Sequence, residues 1–437
     1  MRLCVKSKKP IFLQDINGGI SYKRTFLVPF YVEDRETFFD MMGRSSTVPL
    51  DNYLGVNILP FEMTLSMMAR CAAQGVNSRS FSEASATLKK QGYKRVSPSI
   101  ISQVCEVVGQ AILDYYNLRA ADVKARLANG LKIGPANVDI HKMDSLNPEK
   151  VLLIYFDGHT IYTRKYSTGR YDIDDGGKCG CDCRVGIAFK LSDCFIEHDE
   201  AGRETVRIIH KNFTALIGPK EEFRNYIGEL ALRSGADQCE LIVNISDGAD
   251  WLHKMVDELF CSSVHIRDFW HAIECTAEYC KALFPDNPEK GSQLTDSLCK
   301  LLDEGKIDEF LKELEPYKDH QIYLNGSKLV NPYGYVYNRR DGMEYDLYKS
   351  LGLPVGSGAI ESTNKIFHRR MRTTGALWTK QTANRMVMIV AANEEGGEEL
   401  ITAILIAMKE DLLDIKARIC EEGIHREYKK QSKNKNA

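Results

Sequence analysis

The chain has no long apolar run. No stretch approaches the roughly 18 uncharged residues a membrane-spanning helix needs, so the sequence predicts no membrane partner. Behind the positive charge of Met1-Arg2 there is no apolar segment of the secretory kind. With 13 cysteines, an odd number, scattered from Cys4 to Cys420, no disulfide framework is implied. The expectation is a protein of a reducing cytoplasm with free thiols. There is no internal repeat and no low-complexity linker, which excludes a solenoid or a fibre. A charge excess of one sign is also missing. Against 58 Lys and Arg stand 60 Asp and Glu, a formal net of −2, where nucleic-acid binders usually carry a clear positive excess.

What is present is an ordinary globular composition, 437 residues that are 43% hydrophobic and 27% charged, enough for two to four domains. The charge is segregated. Residues 1–150 hold 20 Lys and Arg against 14 Asp and Glu, and from Ser362 to Asn393 there are six Lys or Arg and no acid. The near-neutral total averages two basic segments with an acidic remainder, so it does not exclude DNA.

Six segments follow from pattern. An extended, aromatic-rich segment covers 1–60, with strands expected over 20–32. Residues 61–150 turn helical, with Met63, Met67, Met68 and Cys71 on one face. Ser80 followed by Glu83 is a capping box, Gly92 a stop, and Ser97-Pro98 opens the next helix. Helix, short turn, helix is the connectivity of a helix-turn-helix, and the basic turn (Lys89, Lys90, Lys94, Arg95) sits where phosphates would be met. An ordinary helical hairpin has the same pattern.

Residues 151–274 read as α/β, a mixed sheet covered by helices. Val151–Phe156 and Leu241–Ser246 are apolar runs suited to strands buried on both faces. Further strands are expected over Arg184–Leu191, Val206–Leu216 and Val264–Ile266, with helices over 218–235 and 250–260. Residues 275–350 form a charged helical insertion. Residues 351–400 bring a Gly-rich turn and a basic helix, and 401–437 a helix and basic tail.

Two of the buried strands end alike, Phe156-Asp157-Gly158 and Ser246-Asp247-Gly248. Ligands gather at the carboxyl ends of strands in an α/β sheet, and two carboxylates brought together there need a cation between them. The alternative is that each Asp caps its own turn. A third acid, Glu361, opens a helix within Pro354-Val355-Gly356-Ser357-Gly358-Ala359-Ile360-Glu361-Ser362. This is no phosphate loop, since no Lys-Ser/Thr follows the glycines. Behind Glu361 come Lys365, His368, Arg369, Arg370, Arg372, Lys380 and Arg385, a one-signed helix that predicts an anionic partner. Trp378 could stack on a base or plug the core. Asp268, His271 and Glu274, three residues apart at a helix start, read as support for the site. Cys179, Cys181 and Cys183 alternate on an extended segment, which is not the usual zinc spacing, and a hairpin tip with free thiols is the simpler reading.

In that order the motifs resemble bacterial insertion-sequence transposases of the DDE class. The resemblance rests on Asp157-Gly158, on Asp247-Gly248-Ala249-Asp250-Trp251, on Asp268-Phe269-Trp270-His271, and on Ser357-Gly358-Ala359-Ile360-Glu361-Ser362 with the arginines and Trp378 behind it. It covers residues 60–395 and is densest after 150. It implies an RNase H-like catalytic domain with a helical insertion, behind an N-terminal mostly helical domain that contains a helix-turn-helix. It implies Asp157, Asp247 and Glu361 as a catalytic, metal-binding triad holding two Mg²⁺ about 3.5–4 Å apart, with Mn²⁺ able to substitute. Asp250, Asp268 and His271 would support that triad. Lys89, Lys90, Lys94, Arg95, Lys365, Arg369, Arg370, Arg372 and Trp378 would contact double-stranded DNA, both the terminal inverted repeats and the target. The protein would act near the nucleoid as a dimer or higher oligomer on DNA. The sequence departs from the family pattern at the cysteine-rich 172–183 loop and at Leu377, a position usually basic. Two other readings share these motifs: a nuclease or resolvase not engaged in transposition, and a transposase-derived DNA-binding regulator without catalysis.

Overall fold

The computed structural model describes residues 3–29, 31, 33–37, 60–163, 179–198, 204–246, 250–324, 327–373 and 378–422. The chain divides into two compact units built from non-consecutive segments. The first comprises Met1–Leu118, Thr160–Cys181 and Phe367–Ala437, and the second Arg119–His159 and Asp182–Ile366. No helix among the described residues is long and apolar enough to cross a membrane.

In the first unit β1 (Leu3–Asp15) and β2 (Gly18–Pro29) form an antiparallel hairpin closed at Asp15 and Gly18. The strands therefore begin well before residue 20, inside the expected extended segment. Thr64 caps α1 (Leu65–Asn77), accepting from Met67 N at 3.3 Å, and Met67, Met68 and Cys71 are fully buried. Met63 is buried too, but it bridges Gln14 outside the helix. Ser80 caps α2 (Phe81–Lys90), accepting from Glu83 N at 3.1 Å. The Glu83 carboxylate accepts from Arg79 N at 2.8 Å, one residue upstream of where a capping box would place it. Gly92 at φ +94° turns the chain.

The next helix, α3 (Pro98–Ala128), has 31 residues, about 46 Å of helix and far more than a helix-turn-helix needs. Ile101, Val104, Val107, Val108, Ala111 and Ile112 bury a continuous face of it. This helix is core. The long α12 (Lys380–Ala407) packs against α1, and a further helical stretch covers 412–422.

The second unit is organised on a five-stranded mixed sheet in the order β7-β4-β3-β8-β9. These strands are β3 (Val151–Thr163), β4 (Cys179–Lys190), β7 (Asn212–Leu216), β8 (Leu241–Ser246) and β9 (Val264–Arg267). β3 pairs parallel with β8, and β8 with β9, while β4 and β7 are antiparallel. Val151–Phe156 and all of β8 are buried, as expected of apolar runs covered on both faces.

The single strand expected over Val206–Leu216 is two. β6 (Glu204–Ile208) pairs with β5 (Cys194–His198) in a separate ribbon, and only β7 joins the main sheet. Asp193 causes the break. Its carbonyl accepts from Ile209 N at 3.1 Å, and its carboxylate lies 2.8 Å from His210 Nδ1, so the chain is held off the sheet between the strands.

Helix α4 (Lys220–Arg233) covers the sheet with Phe223, Tyr226, Ile227 and Leu230. At Gly186 on β4 a Cβ would stand 2.4 Å from Ile227 Cδ1 and 3.1 Å from Thr214 Cγ2, so a larger residue there would push these side chains aside. Helices α5 (Asp250–Leu259), α6 (Phe269–Leu283), α7 (Pro288–Asp303), α8 (Ile307–Leu314), α9 (Pro332–Tyr337), α10 (Tyr345–Ser350) and α11 (Gly358–Met371) follow. The 275–350 stretch is thus mostly helical.

Candidate functional site

β8 runs parallel to β3 and β9 to β8, and both end level with the middle of β3. A cavity of about 120 Å³ opens there. Phe156 and Asp157 come from the middle of β3, just past Tyr155, the last residue it pairs with β8, so the strand expected to end at Asp157-Gly158 instead runs on to Thr163, and the end of β8 contributes Ser246. Asp268 follows β9, and its N–H donates to the Ser246 carbonyl at 3.0 Å, which fixes the start of α6 beside the end of β8. The first turns of α6 add Trp270, His271 and Glu274, and the turn into α11 adds Ser357, Ile360 and Glu361. Four carboxylates, Asp157, Asp268, Glu274 and Glu361, therefore line one small space.

Each acid near the strand ends is fixed by specific donors. Asp157 accepts from Gly158 N at 2.7 Å on one oxygen and from Asn364 Nδ2 at 2.6 Å on the other. Asn364 is one turn past Glu361 on α11, so a single helix face serves both acids. Its amide nitrogen is committed to a carboxylate, and its carbonyl oxygen is buried with no hydrogen-bond partner among the described residues.

Asp268 is 3% exposed. One of its oxygens caps α6, accepting from Trp270 N at 2.9 Å, and the other meets the Ser357 hydroxyl. That same hydroxyl lies 2.9 Å from Glu361 Oε1. A serine has one hydrogen to donate. Two carboxylates compete for it, an arrangement suited to a neighbouring cation.

Behind the wall a second chain of polar groups runs from Ser246. Its Oγ is 2.8 Å from His265 Nε2, and His265 Nδ1 is 2.9 Å from His253 Nδ1. Burial, with Arg267 and His253 nearby, pushes the His265 imidazole down to about 3, so it is neutral under ordinary conditions.

The structure thus brings Asp157, Asp268, His271 and Glu361 to one cavity. Asp247 lies outside the described residues, one position beyond Ser246 in the lining. Asp250 begins α5, and its side chain is not among those described. Among the described residues no three Asp, Glu, His or Cys side chains converge on one ion position. Sequence reasoning missed Asn364, Ser246, His265 and His253. The Glu361-x-x-Asn364 spacing was the one visible signal, since three residues on a helix share a face.

The basic residues divide into two sets. Lys89, Lys90, Lys94, Lys365, Arg369 and Arg372 are exposed. Arg95 is exposed but engaged, donating to Glu62 at 2.9 Å and to the Phe12 carbonyl at 3.3 Å. Arg372 donates to the Thr160 carbonyl at 3.0 Å.

Arg370 and Trp378 must be withdrawn from the DNA-contacting set, because both are buried. Arg370 donates to the Gly75 carbonyl at 2.8 Å and stacks its guanidinium over Phe81 and Trp378, while Trp378 donates to the Met371 carbonyl at 3.1 Å. Arg385 is likewise internal, paired with Glu106 at 2.8 Å and Glu422 at 3.0 Å. The acid-free segment is neutralised in part by acids and carbonyls elsewhere in its own unit, so its charge alone does not require an external anion. In β4, Cys183 is buried, and Cys181 lies 3.0 Å from Thr163 Oγ1. The Cys179 side chain is not described.

No protein-family model and no curated protein matches the chain. Among solved structures it is similar to a chain of the Drosophila P element transposase strand transfer complex, at 12% identity and a TM-score of 0.32, over 84% of this chain and 97% of that chain. A likeness at that score assigns neither fold nor function here.

Proposed function

We propose that this protein is a DNA-processing enzyme that transfers phosphoryl groups with divalent-metal assistance, in the manner of an RNase H-like transposase. The observation that carries the reading is that Asp157 and Glu361, 204 residues apart in sequence, line one cavity beside the end of β8. Ser246, the residue before Asp247, lines it too.

The donor set fits a hard cation such as Mg²⁺. It is made of carboxylate oxygens, with an amide carbonyl left unpartnered among the described residues at Asn364. Asp157, Asp247 and Glu361 would hold the metal, which when bound supplies charge to the phosphate oxygens and acidity to the attacking hydroxyl. The chain's own part is positioning. Asn364 and Gly158 aim Asp157. Ser357 and Asp268 orient Glu361 and keep the two acids apart. The Ser246–His265–His253 chain braces the end of β8.

Lys365 and Arg369, exposed on the helix that carries Glu361, would meet the phosphate backbone, and Lys89, Lys90 and Lys94 would add affinity. Inverted repeats flanking the coding sequence are the DNA to try. On a plasmid carrying them, the purified protein with Mg²⁺ or Mn²⁺ should release the element or join its ends to target. Cutting without end specificity would instead identify a nuclease of the same chemistry, and no metal-dependent cutting of any DNA would refute the proposal.

A further inference from the structure

One wall of the carboxylate cavity does not belong to phosphate chemistry. Trp270 lines it and is 59% exposed, unusual for a side chain that ordinarily buries most of its area. It is not a loose surface ring. Trp270 is the second residue of α6, and its N–H is fixed by Asp268 at 2.9 Å. Phe269 N donates to the Val355 carbonyl at 2.9 Å, tying this helix start to the turn that precedes Ser357. In that turn Gly356 lies against the indole, and a Cβ there would be 2.6 Å from Trp270 Cδ1 and 3.0 Å from Nε1. Any side chain at 356 would displace the ring, so the sequence keeps it where it is. Phe269 adds an edge contact with ring centroids 5.2 Å apart.

An open indole beside a cluster of acids offers nothing to a phosphate. It offers a flat apolar face to a nucleobase. In a duplex both faces of a base are covered by its neighbours, so only an unstacked base can take up that surface. We propose that Trp270 is a stacking platform for a base adjoining the phosphate held in the carboxylate cavity, and that the strand enters the site unpaired at that point. This rests on the reading of the cavity as a phosphoryl-transfer site and adds to it the state of the substrate strand. Trp270 is a positioning residue here.

The test uses the full-length protein in Ca²⁺, with a 20-nucleotide DNA carrying one 2-aminopurine, offered single-stranded or annealed to its complement. The wild type should bind the single strand more tightly than the duplex and quench the 2-aminopurine. Trp270→Ala should weaken single-strand binding by about 5- to 150-fold, the range found for removing one base–aromatic stack, and abolish the quench. Duplex affinity should stay the same, and Trp270→Phe should recover most of the loss. Unchanged urea midpoints for both variants would show that the fold is intact. If Trp270→Ala binds and quenches as the wild type does, the platform is refuted while the phosphoryl-transfer reading stands. If the wild type binds neither DNA, both fall.

Discussion

Ser357 is the sharpest place to test the site, because one hydroxyl faces two carboxylates. Ser357→Ala removes the only hydrogen shared between Asp268 and Glu361. Glu361 is exposed, and water can replace the lost partner. Asp268 is 3% exposed, its second oxygen is already used in capping Trp270 N, and nothing replaces the serine there. A hydrogen bond to a buried charged group contributes about 1.5–3 kcal/mol, and the variant should lose about that much. Asp268→Asn keeps the cap, since Asn serves as well as Asp at a helix start, while removing the charge the serine satisfies. In the double variant the two losses should therefore overlap, with a coupling of about 1.5–3 kcal/mol. Urea unfolding of wild type, both single variants and the double variant in EDTA measures it directly. If the single effects add to within about 0.5 kcal/mol, the serine does not bridge these acids and the described positioning of Glu361 is wrong.

Replacing Arg385 with Ala should cost about 3 kcal/mol in urea unfolding, the low end for breaking a buried ion pair, because Glu106 loses its partner inside the unit while the Glu422 side chain, 40% exposed, regains water. Lys365→Ala and Arg369→Ala should change stability by less than about 0.5 kcal/mol, yet each should reduce the salt slope of DNA binding by about 0.9. A loss of stability with an unchanged salt slope would make these two side chains structural and remove them from the DNA-contacting set. Since His265 is held at about 3, below the ordinary value near 6.5, it stays neutral in the folded chain while the unfolded chain takes up a proton as pH falls. Its contribution is complete above pH 6.5 and declines by about 1.4 kcal/mol per unit from there toward pH 3. His265→Asn should flatten that part of the stability profile between pH 6.5 and 5, and an unchanged slope would contradict the burial.

Elements whose pattern is local were legible in the sequence. β8 falls on the apolar run Leu241–Ser246, and α5 follows it within a residue of its expected end. Ser80 caps α2 as its spacing to Glu83 required. The failures are long-range. A contact from Asp193 splits one expected strand into two, and no local pattern carries that information. The basic stretch after Glu361 looked unneutralised because Glu106, 279 residues from Arg385, is invisible to any window around it.

The site divides in the same way. Asp157 and Glu361 stood out because one closes an apolar run and the other opens a helix, although β3 runs on past Asp157 to Thr163. Asn364 and Ser357 did not, because a polar residue near a turn has many uses and only the fold shows which acid it touches. Exposure was beyond reach too. Arg370 and Trp378 are as basic and as aromatic as a DNA contact should be, and they are spent on each other and on Phe81 inside the core.

The most direct measurement is metal-dependent cleavage of DNA carrying the element's own ends, comparing wild type with Asp157→Ala. Wild type should cut in Mg²⁺ or Mn²⁺ and not in EDTA. Asp157→Ala should lose cleavage by at least about a thousandfold while binding the same ends within a few-fold, since the proposed clamp residues are untouched. Cleavage by Asp157→Ala at the wild-type rate would contradict the account at its centre.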